Sequence, residues 1–195
     1  HYTYQETGKN LVHSNFLHSL LLDHSGNVWV GSEFAGVTLL SVLSEGSYRI
    51  YPEHESINDY VNAIRTVVKM PDGGFWFGTR QGNVYAYDKN LEAASCYKMP
   101  YNYIYAASCD GDGKLWLGTR TMGLCIDGRW YHKMAGDTLS LAHENIFDIY
   151  RDDKNRMWIG TFGGGLNLAV SRKDRYVFRK FLTGSGRLQE VRIIP

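Results

Sequence analysis

The chain has 195 residues, of which 44% are hydrophobic and 21% are charged, and this composition favours a packed core over a disordered tail. Its 21 Lys and Arg residues nearly balance its 20 Asp and Glu residues, and the basic residues form no block, so no nucleic-acid partner is expected. No apolar run approaches the roughly 20 residues that span a bilayer.

One short pattern recurs four times along the chain. It consists of a tryptophan, an aliphatic residue or Phe, a glycine, and then Ser or Thr. The four copies are NVWVGS at 27–32, FWFGT at 75–79, KLWLGT at 114–119 and RMWIGT at 156–161. Such regular self-similarity is typical of repeat architectures.

The surroundings of each tryptophan repeat as well. An apolar segment and a turn precede it, with Asp six residues and Gly or Asn three residues before the tryptophan in most units. A second Gly-containing turn and two more strand-like segments follow. Four short strands in roughly 40 to 45 residues indicate one propeller blade. The sequence therefore predicts an all-β fold with four complete blades, at about 14–51, 61–99, 101–134 and 143–182.

The second unit departs from this pattern. Met70 stands where the other units have the turn Asp, and the glycine of its second turn, Gly82, comes one residue earlier than in the other units. We expect local distortion of that blade.

The recurring tryptophans and glycines are predicted to be structural. Residues two apart in a strand share a face, so each glycine leaves space beside its indole for a side chain from a neighbouring blade. The residues are Trp29, Trp76, Trp116, Trp158, Gly31, Gly78, Gly118 and Gly160. Trp130 lies outside the pattern, where edge packing is expected.

Residues 137–168, DTLSLAHENIFDIYRDDKNRMWIGTFGGGLNL, resemble the two-component regulator propeller repeat, S-L-x-x-N-x-V-x-x-I-x-x-D-x-x-G-x-L-W-I-G-T-x-x-G-G-L. The resemblance implies the extracytoplasmic sensor region of a hybrid two-component system of Bacteroidetes, whose parent protein is a sensor histidine kinase. It further implies a periplasmic location, a seven-bladed propeller, and non-catalytic detection of oligosaccharides that regulates polysaccharide utilisation.

The ends of the chain suggest unpaired strands. Residues 2–5 match an outer strand, and residues 188–194 match the inner first strand of a further unit. We therefore expect an arc that is part of a larger propeller. Its expected partners are the remaining blades of the parent protein and a second copy of the chain.

Candidate ligand-binding residues are those that differ between units at matching positions, because the fold does not dictate them. Most follow the Gly-Thr pair directly, and the others lie in loops expected on the same face. They are Glu33, Phe34, Arg80, Arg120, Phe162, Tyr101 and His143. Arginine with aromatic rings suits an oligosaccharide, and a solvated rim is the alternative. Tyr101, Tyr103 and Tyr105 alternate along the chain and are expected to line the ring interior.

No catalytic constellation is evident. The seven histidines show no H-E-x-x-H spacing, and the chain has no G-x-S-x-G elbow, so we predict no catalytic residue, no metal site and no cofactor. Two alternatives stay open: a propeller lyase similar to virginiamycin B lyase, and a propeller that only binds proteins. The three cysteines, Cys96, Cys109 and Cys125, are predicted to be free structural thiols.

Overall fold

A computed structural model describes residues 14–41, 47–53, 62–100 and 103–181. These residues form four separate four-stranded sheets in which each strand pairs antiparallel with the next along the chain. The all-β propeller fold is therefore confirmed. The stray segments 2–5 and 188–194, and the candidate Tyr101, lie outside the described residues. Within the described ranges there is no helix long and apolar enough to cross a membrane.

The sixteen strands follow in chain order, four to a blade. The first blade consists of β1 Leu17–Leu22, β2 Val28–Ser32, β3 Val37–Leu40 and β4 Ser47–Ile50. The second consists of β5 Ile64–Lys69, β6 Phe75–Thr79, β7 Asn83–Tyr87 and β8 Ala93–Lys98. The third consists of β9 Ile104–Cys109, β10 Leu115–Thr119, β11 Leu124–Ile126 and β12 Arg129–Tyr131. The fourth consists of β13 Ile146–Arg151, β14 Met157–Thr161, β15 Gly165–Arg172 and β16 Arg175–Phe181.

The blades stand side by side, and their first strands are neighbours. β1 packs beside β5, β5 beside β9, and β9 beside β13. Three hydrophobic clusters fill the three junctions between blades: Trp29 lies in the first, Trp76 packs against the second, and Trp116 lies in the third. Trp116 is fully buried, whereas Trp158, in the last blade, is half-buried and lies 5.6 Å from the Phe181 ring.

The repeated glycines differ in what lies beside them. A Cβ on Gly31 would come within 2.8 Å of Ile64 Cγ2, and a Cβ on Gly78 within 3.0 Å of Ile104 Cγ2. Both isoleucines belong to the first strand of the following blade. At Gly160 the nearest atom to such a Cβ is Asp148 Cβ at 3.6 Å, within its own sheet. Where the described residues include a following blade, the missing side chain of the glycine therefore leaves room for the isoleucine at the start of that blade.

The turn aspartates also hold the tryptophans. Indole Nε1 donates to the Asp carboxylate six residues earlier at 3.0 Å in Trp29 and Trp116 and at 2.9 Å in Trp158. The fourth indole, Trp76, stacks on Tyr97 at 5.5 Å instead. These bonds were missed from the sequence, although the constant six-residue spacing was a signal for them.

The distortion expected at Met70 is absent from its turn. Met70 N–H donates to the Gly74 carbonyl at 2.8 Å, and Gly73 N–H donates to the Met70 carbonyl at 3.0 Å. Equivalent backbone bonds close the other turns, where Asp occupies the Met70 position. The backbone thus makes this turn without the carboxylate.

Cys96, Cys109 and Cys125 are free thiols. Cys109 and Cys125 are buried, and burial raises the pKa of both thiols. Cys96 is exposed, in contrast to the buried structural role expected of it, because β8 is an outer strand.

Candidate functional site

A β-bulge occurs at the same place in all four blades, near the start of the first strand. In the first blade, for example, Leu17 pairs with Ser32 and Ser19 with Gly31, so His18 has no partner in β2. The residues skipped in this way are His18, Arg65, Tyr105 and Phe147. A bulge turns its side chain away from the regular alternation of the strand. We call these four residues the inner row.

A second set of equivalent residues follows the Gly-Ser or Gly-Thr pair of each blade. Their N–H groups donate to the carbonyls of Phe16, Ala63, Tyr103 and Asn145 at 2.8–3.1 Å, which ties each turn to the residues just before or at the start of the inner strand. We call these residues the turn row: Glu33, Arg80, Arg120 and Phe162. Together the two rows form the upper face.

Glu33 is the centre of the polar half of the upper face. Its carboxylate accepts from Arg80 Nη1 at 2.7 Å, lies 3.4 Å from Arg65 Nη2, and accepts a hydrogen bond from His18 Nε2. Burial raises the pKa of Glu33, but the His18 hydrogen bond and the charge of Arg65 outweigh it, so the pKa lies below the usual 4.5. Glu33 is therefore a carboxylate at neutral pH.

The contacts also define the tautomer of His18. Arg65 Nη1 lies 3.0 Å from His18 Nδ1. Because a guanidinium can only donate, Nδ1 is the acceptor, and the ring proton resides on Nε2, which donates to Glu33. The chain Arg65–His18–Glu33 thus links the first two blades.

Aromatic rings form the other half of the upper face. Tyr105 and Phe147 lie 5.3 Å apart between centroids, and Phe147 stacks on Phe162 at 5.6 Å. Phe147 and Phe162 are 51% and 62% exposed, which is unusual for side chains of this size. Such a surface is available to the apolar face of a ligand.

Tyr103 joins the polar and aromatic halves. The guanidinium groups of Arg80 and Arg120 lie 5.8 and 5.5 Å from its ring centroid, and the Tyr105 ring lies 6.5 Å away. Its φ of 77° is a left-handed conformation that a bulky residue rarely adopts, and such strain concentrates at functional sites. Arg120 forms no ion pair with any described carboxylate, so its donors are available to a ligand.

The structure places most of the predicted ligand-binding residues in or next to the turn row. Glu33, Arg80, Arg120 and Phe162 lie together in the turn row, and His143 lies 6.3 Å from Phe162 between ring centroids. Phe34 is half-buried in the same turn as Glu33. Sequence reasoning missed the inner row as binding residues, since Tyr105 was expected only to line the interior. No three His, Cys, Asp or Glu side chains of the described ranges gather as metal ligands.

Comparison with known proteins agrees with this architecture. A family model described as "Two component regulator propeller" matches residues 10–34, 98–121 and 140–163. Three segments of the chain therefore match the two-component regulator propeller repeat. The last matched segment, residues 140–163, contains Phe162 of the turn row and Phe147 of the inner row. This repeat therefore contributes both of its variable side chains to the candidate site.

A curated relative of these repeats is Histidine kinase P4 of Formosa agariphila. It is 25% identical over 175 residues, which cover 83% of this chain and 13% of the relative. The chain therefore corresponds to a small part of that protein.

Solved structures share the fold. The extracellular domain of a putative one component system from B. thetaiotaomicron is 21% identical, with a TM-score of 0.70 over 84% of this chain and 22% of that one. The extracellular domain of a putative hybrid two component system from the same organism is 24% identical, with a TM-score of 0.68 over 88% and 24%. Virginiamycin B lyase from Staphylococcus aureus reaches 0.66 at 12% identity over 88% and 57%. At these identities the likeness concerns the propeller fold.

Proposed function

We propose that the chain is a non-catalytic part of the extracytoplasmic, periplasmic sensor region of a hybrid two-component system, and that its upper face binds glycan-derived oligosaccharides. The propeller repeats and the histidine kinase relative support the sensor role. The fold of extracellular sensor domains supports the location. In this role ligand binding regulates polysaccharide utilisation.

One observation carries the ligand proposal: every described blade places two variable side chains, from the inner row and the turn row, on one face. Phe147 and Phe162 offer exposed rings on which a sugar face can stack, and Arg120 offers donors for hydroxyl oxygens. An oligosaccharide is long enough to contact both the third and fourth blades. Its free energy of binding would then depend on the arrangement of those blades.

Signalling on this proposal requires no reaction of the ligand. A sugar that binds one arrangement of the sensor region more tightly than another shifts the equilibrium between them. The Arg65–His18–Glu33 chain and the Tyr103 contacts connect blades one to three with the aromatic half. A ligand that contacts the aromatic half would thereby also change which arrangement the residues of the polar half adopt.

Calorimetric titration with a panel of neutral and acidic oligosaccharides tests the proposal. Phe162→Ala and Arg120→Gln should each weaken a saturable interaction by about tenfold. Tyr150→Ala is the matched control, because Tyr150 is also 62% exposed but lies at the opposite end of the same blade. Equal weakening by Tyr150→Ala, or no saturable binding at all, would contradict the upper face as the site. Cleaved sugar products would favour the lyase alternative.

A further inference from the structure

A pocket of about 350 Å³ lies between the second and third blades. Its two walls are the faces that these blades turn toward each other. Six of the residues that form the walls, three from each blade, are Trp76, Val84, Tyr97, Leu115, Leu117 and Cys125. None of the six belongs to the upper face, so the pocket is separate from the candidate site described above.

The pocket exists because the third blade presents small side chains to the second. Where the second blade meets the first, four aromatic rings fill the junction around Trp29. The rings belong to Phe75, Phe77, Tyr85 and Tyr87, and the equivalent positions of the third blade hold Leu115, Leu117, Cys125 and Asp127. Strands β11 and β12, with three residues each, are also the shortest of the described strands. The third blade therefore leaves a space that the other described junctions lack.

Trp76 borders this space and differs from the indoles at the two other junctions. Trp29 and Trp116 are 2% and 0% exposed, and a ring of the following blade lies 4.0 and 4.8 Å from them between centroids. Trp76 is half-buried, and within the described residues its ring contact is with Tyr97 of its own blade, at 5.5 Å with parallel planes. The third blade thus provides no ring to cover Trp76.

The Trp76 indole also has a free donor. The other repeat indoles donate to the turn aspartate six residues earlier, and Met70 takes that position in the second blade. Within the described part of the chain, Trp76 Nε1 has no hydrogen bond partner. An indole N–H away from bulk water normally finds an acceptor. A molecule held beside Trp76 can supply that acceptor.

The chemistry of the walls favours a flat apolar ring over a sugar or an anion. Val84, Leu117 and Cys125 are at most 5% exposed, whereas Tyr97 is 52% exposed at the solvent side. Among the described residues that line the pocket, Asp127 is the single charged one, so an anion finds no counter-charge. A pyranose finds few partners for its hydroxyl groups. A planar ring can stack against the parallel planes of Trp76 and Tyr97, which a puckered ring touches at only a few atoms.

The size of the pocket limits the ligand. Sites for small molecules usually start at about 300 Å³, and an apolar cavity of roughly 150 Å³ holds benzene. A volume of about 350 Å³ therefore suits a molecule of two fused rings.

We propose that this pocket binds a small planar aromatic molecule of two fused rings that carries a hydrogen bond acceptor. The rings of the ligand lie between the Trp76–Tyr97 pair and the aliphatic wall of Leu115 and Leu117. The acceptor of the ligand takes the Trp76 N–H. This proposal does not depend on oligosaccharide binding at the upper face.

Calorimetric titration with three probes tests the class of ligand: coumarin, octahydrocoumarin and methyl β-glucopyranoside. Coumarin is planar and has a carbonyl acceptor, and octahydrocoumarin keeps the fused skeleton and the acceptor but is puckered. Coumarin should bind saturably, octahydrocoumarin about threefold to tenfold more weakly, and the glucoside not measurably. If coumarin does not bind saturably, or if either of the other probes binds as tightly, the proposal is wrong.

Two variants test the location. Cys125→Phe fills the pocket, because the equivalent position of the second blade holds the ring of Tyr85, and it should abolish coumarin binding without lowering the midpoint of thermal unfolding. Tyr97→Ala should weaken binding about tenfold. Tyr150→Ala, which removes an exposed tyrosine from the fourth blade, is the matched control and should leave the affinity unchanged. Wild-type affinity in Cys125→Phe, or equal losses in the two tyrosine variants, would overturn the site.

Met70→Asp tests the acceptor. It gives Trp76 the carboxylate that the other blades have at this position, so the ligand loses its donor and should bind about threefold more weakly. Asn90→Asp adds a carboxylate in an exposed turn of the same blade and should have no effect. Equal affinities of Met70→Asp and Asn90→Asp would remove the acceptor from the proposal. Phe162→Ala at the upper face should leave coumarin binding unchanged, so a failure of the oligosaccharide proposal is distinguishable from a failure of this one.

Discussion

Gly118 of the third blade lies directly against Ile146 of the fourth. A Cβ on Gly118 would come within 2.5 Å of Ile146 Cγ2 and 2.8 Å of Ile146 Cβ. Ile146 is fully buried and branched at Cβ, so it cannot rotate away. The junction between these blades therefore depends on the absence of a side chain at position 118.

The first prediction is that Gly118→Ala lowers the free energy of unfolding by about 1–3 kcal/mol, because overpacking forces the blades apart. Gly160→Ala, at the equivalent position of the fourth blade, should cost much less, since the nearest atom to the new Cβ lies at 3.6 Å. Urea unfolding of both variants measures the difference. Equal stability of Gly118→Ala and the wild-type protein would refute this account of the junction.

The second prediction concerns the bond between turn and indole. Asp110 accepts from Trp116 Nε1 at 3.0 Å and from the N–H groups of Asp112 and Lys114 at 3.0 and 2.9 Å. Asp110→Ala leaves these donors without an acceptor and should destabilise the protein by about 2–3 kcal/mol. Asp112→Ala, two residues away and with a side chain that is 75% exposed, is the control. Similar unfolding midpoints for the two variants would contradict the prediction.

The four blades were predictable from the sequence because the residues that their fold requires recur at the same offsets in each unit. Trp116, Gly118 and the turn Asp110 have counterparts at the same offsets in other units, and repetition separates such positions from chance. The Met70 turn shows the limit of this reasoning. Its backbone bonds form without the carboxylate, so a missing side chain did not imply a missing turn.

The inner row was not predicted to be part of the upper face, and the reason is geometric. Regular alternation along a strand was the only guide to side-chain direction, and the bulge at Phe147 breaks it. A signal did exist: eleven residues before each repeat tryptophan the units carry His18, Arg65, Tyr105 and Phe147, which differ in chemistry. The same comparison between units that singled out Arg120 would have found them.

The third prediction is an acid transition set by Asp152. Burial raises its pKa, but hydrogen bonds from Trp158 Nε1, from Arg156 N–H and from the Arg156 side chain bring the pKa well below the usual 3.8. Because the folded pKa is lowered, the carboxylate stabilises the fold above about pH 4, and this contribution is lost as the pH falls through the folded pKa. Asp152→Asn should be less stable than wild type at pH 7, with a difference that shrinks below pH 3.8.

Thermal midpoints between pH 7 and pH 2 test this window. Asp153→Asn changes an exposed carboxylate in the same turn and should follow the wild-type curve. A constant difference between Asp152→Asn and wild type across the range would show that the carboxylate charge is not the cause.

The last prediction concerns the polar half of the upper face. The Glu33 side chain is 11% exposed and lies 2.7 Å from Arg80 Nη1. Glu33→Gln removes the negative charge that faces Arg80 and Arg65 and should cost about 1–3 kcal/mol of stability. Adding Arg80→Gln to Glu33→Gln should cost less than Arg80→Gln costs in the wild-type protein, with a coupling of about 1 kcal/mol. The exposed pair Lys114–Asp112, at 3.8 Å, should show a much smaller coupling in the same kind of cycle, because solvent screens both charges. If the two pairs couple equally, Glu33 is a surface charge rather than the link between the first two blades.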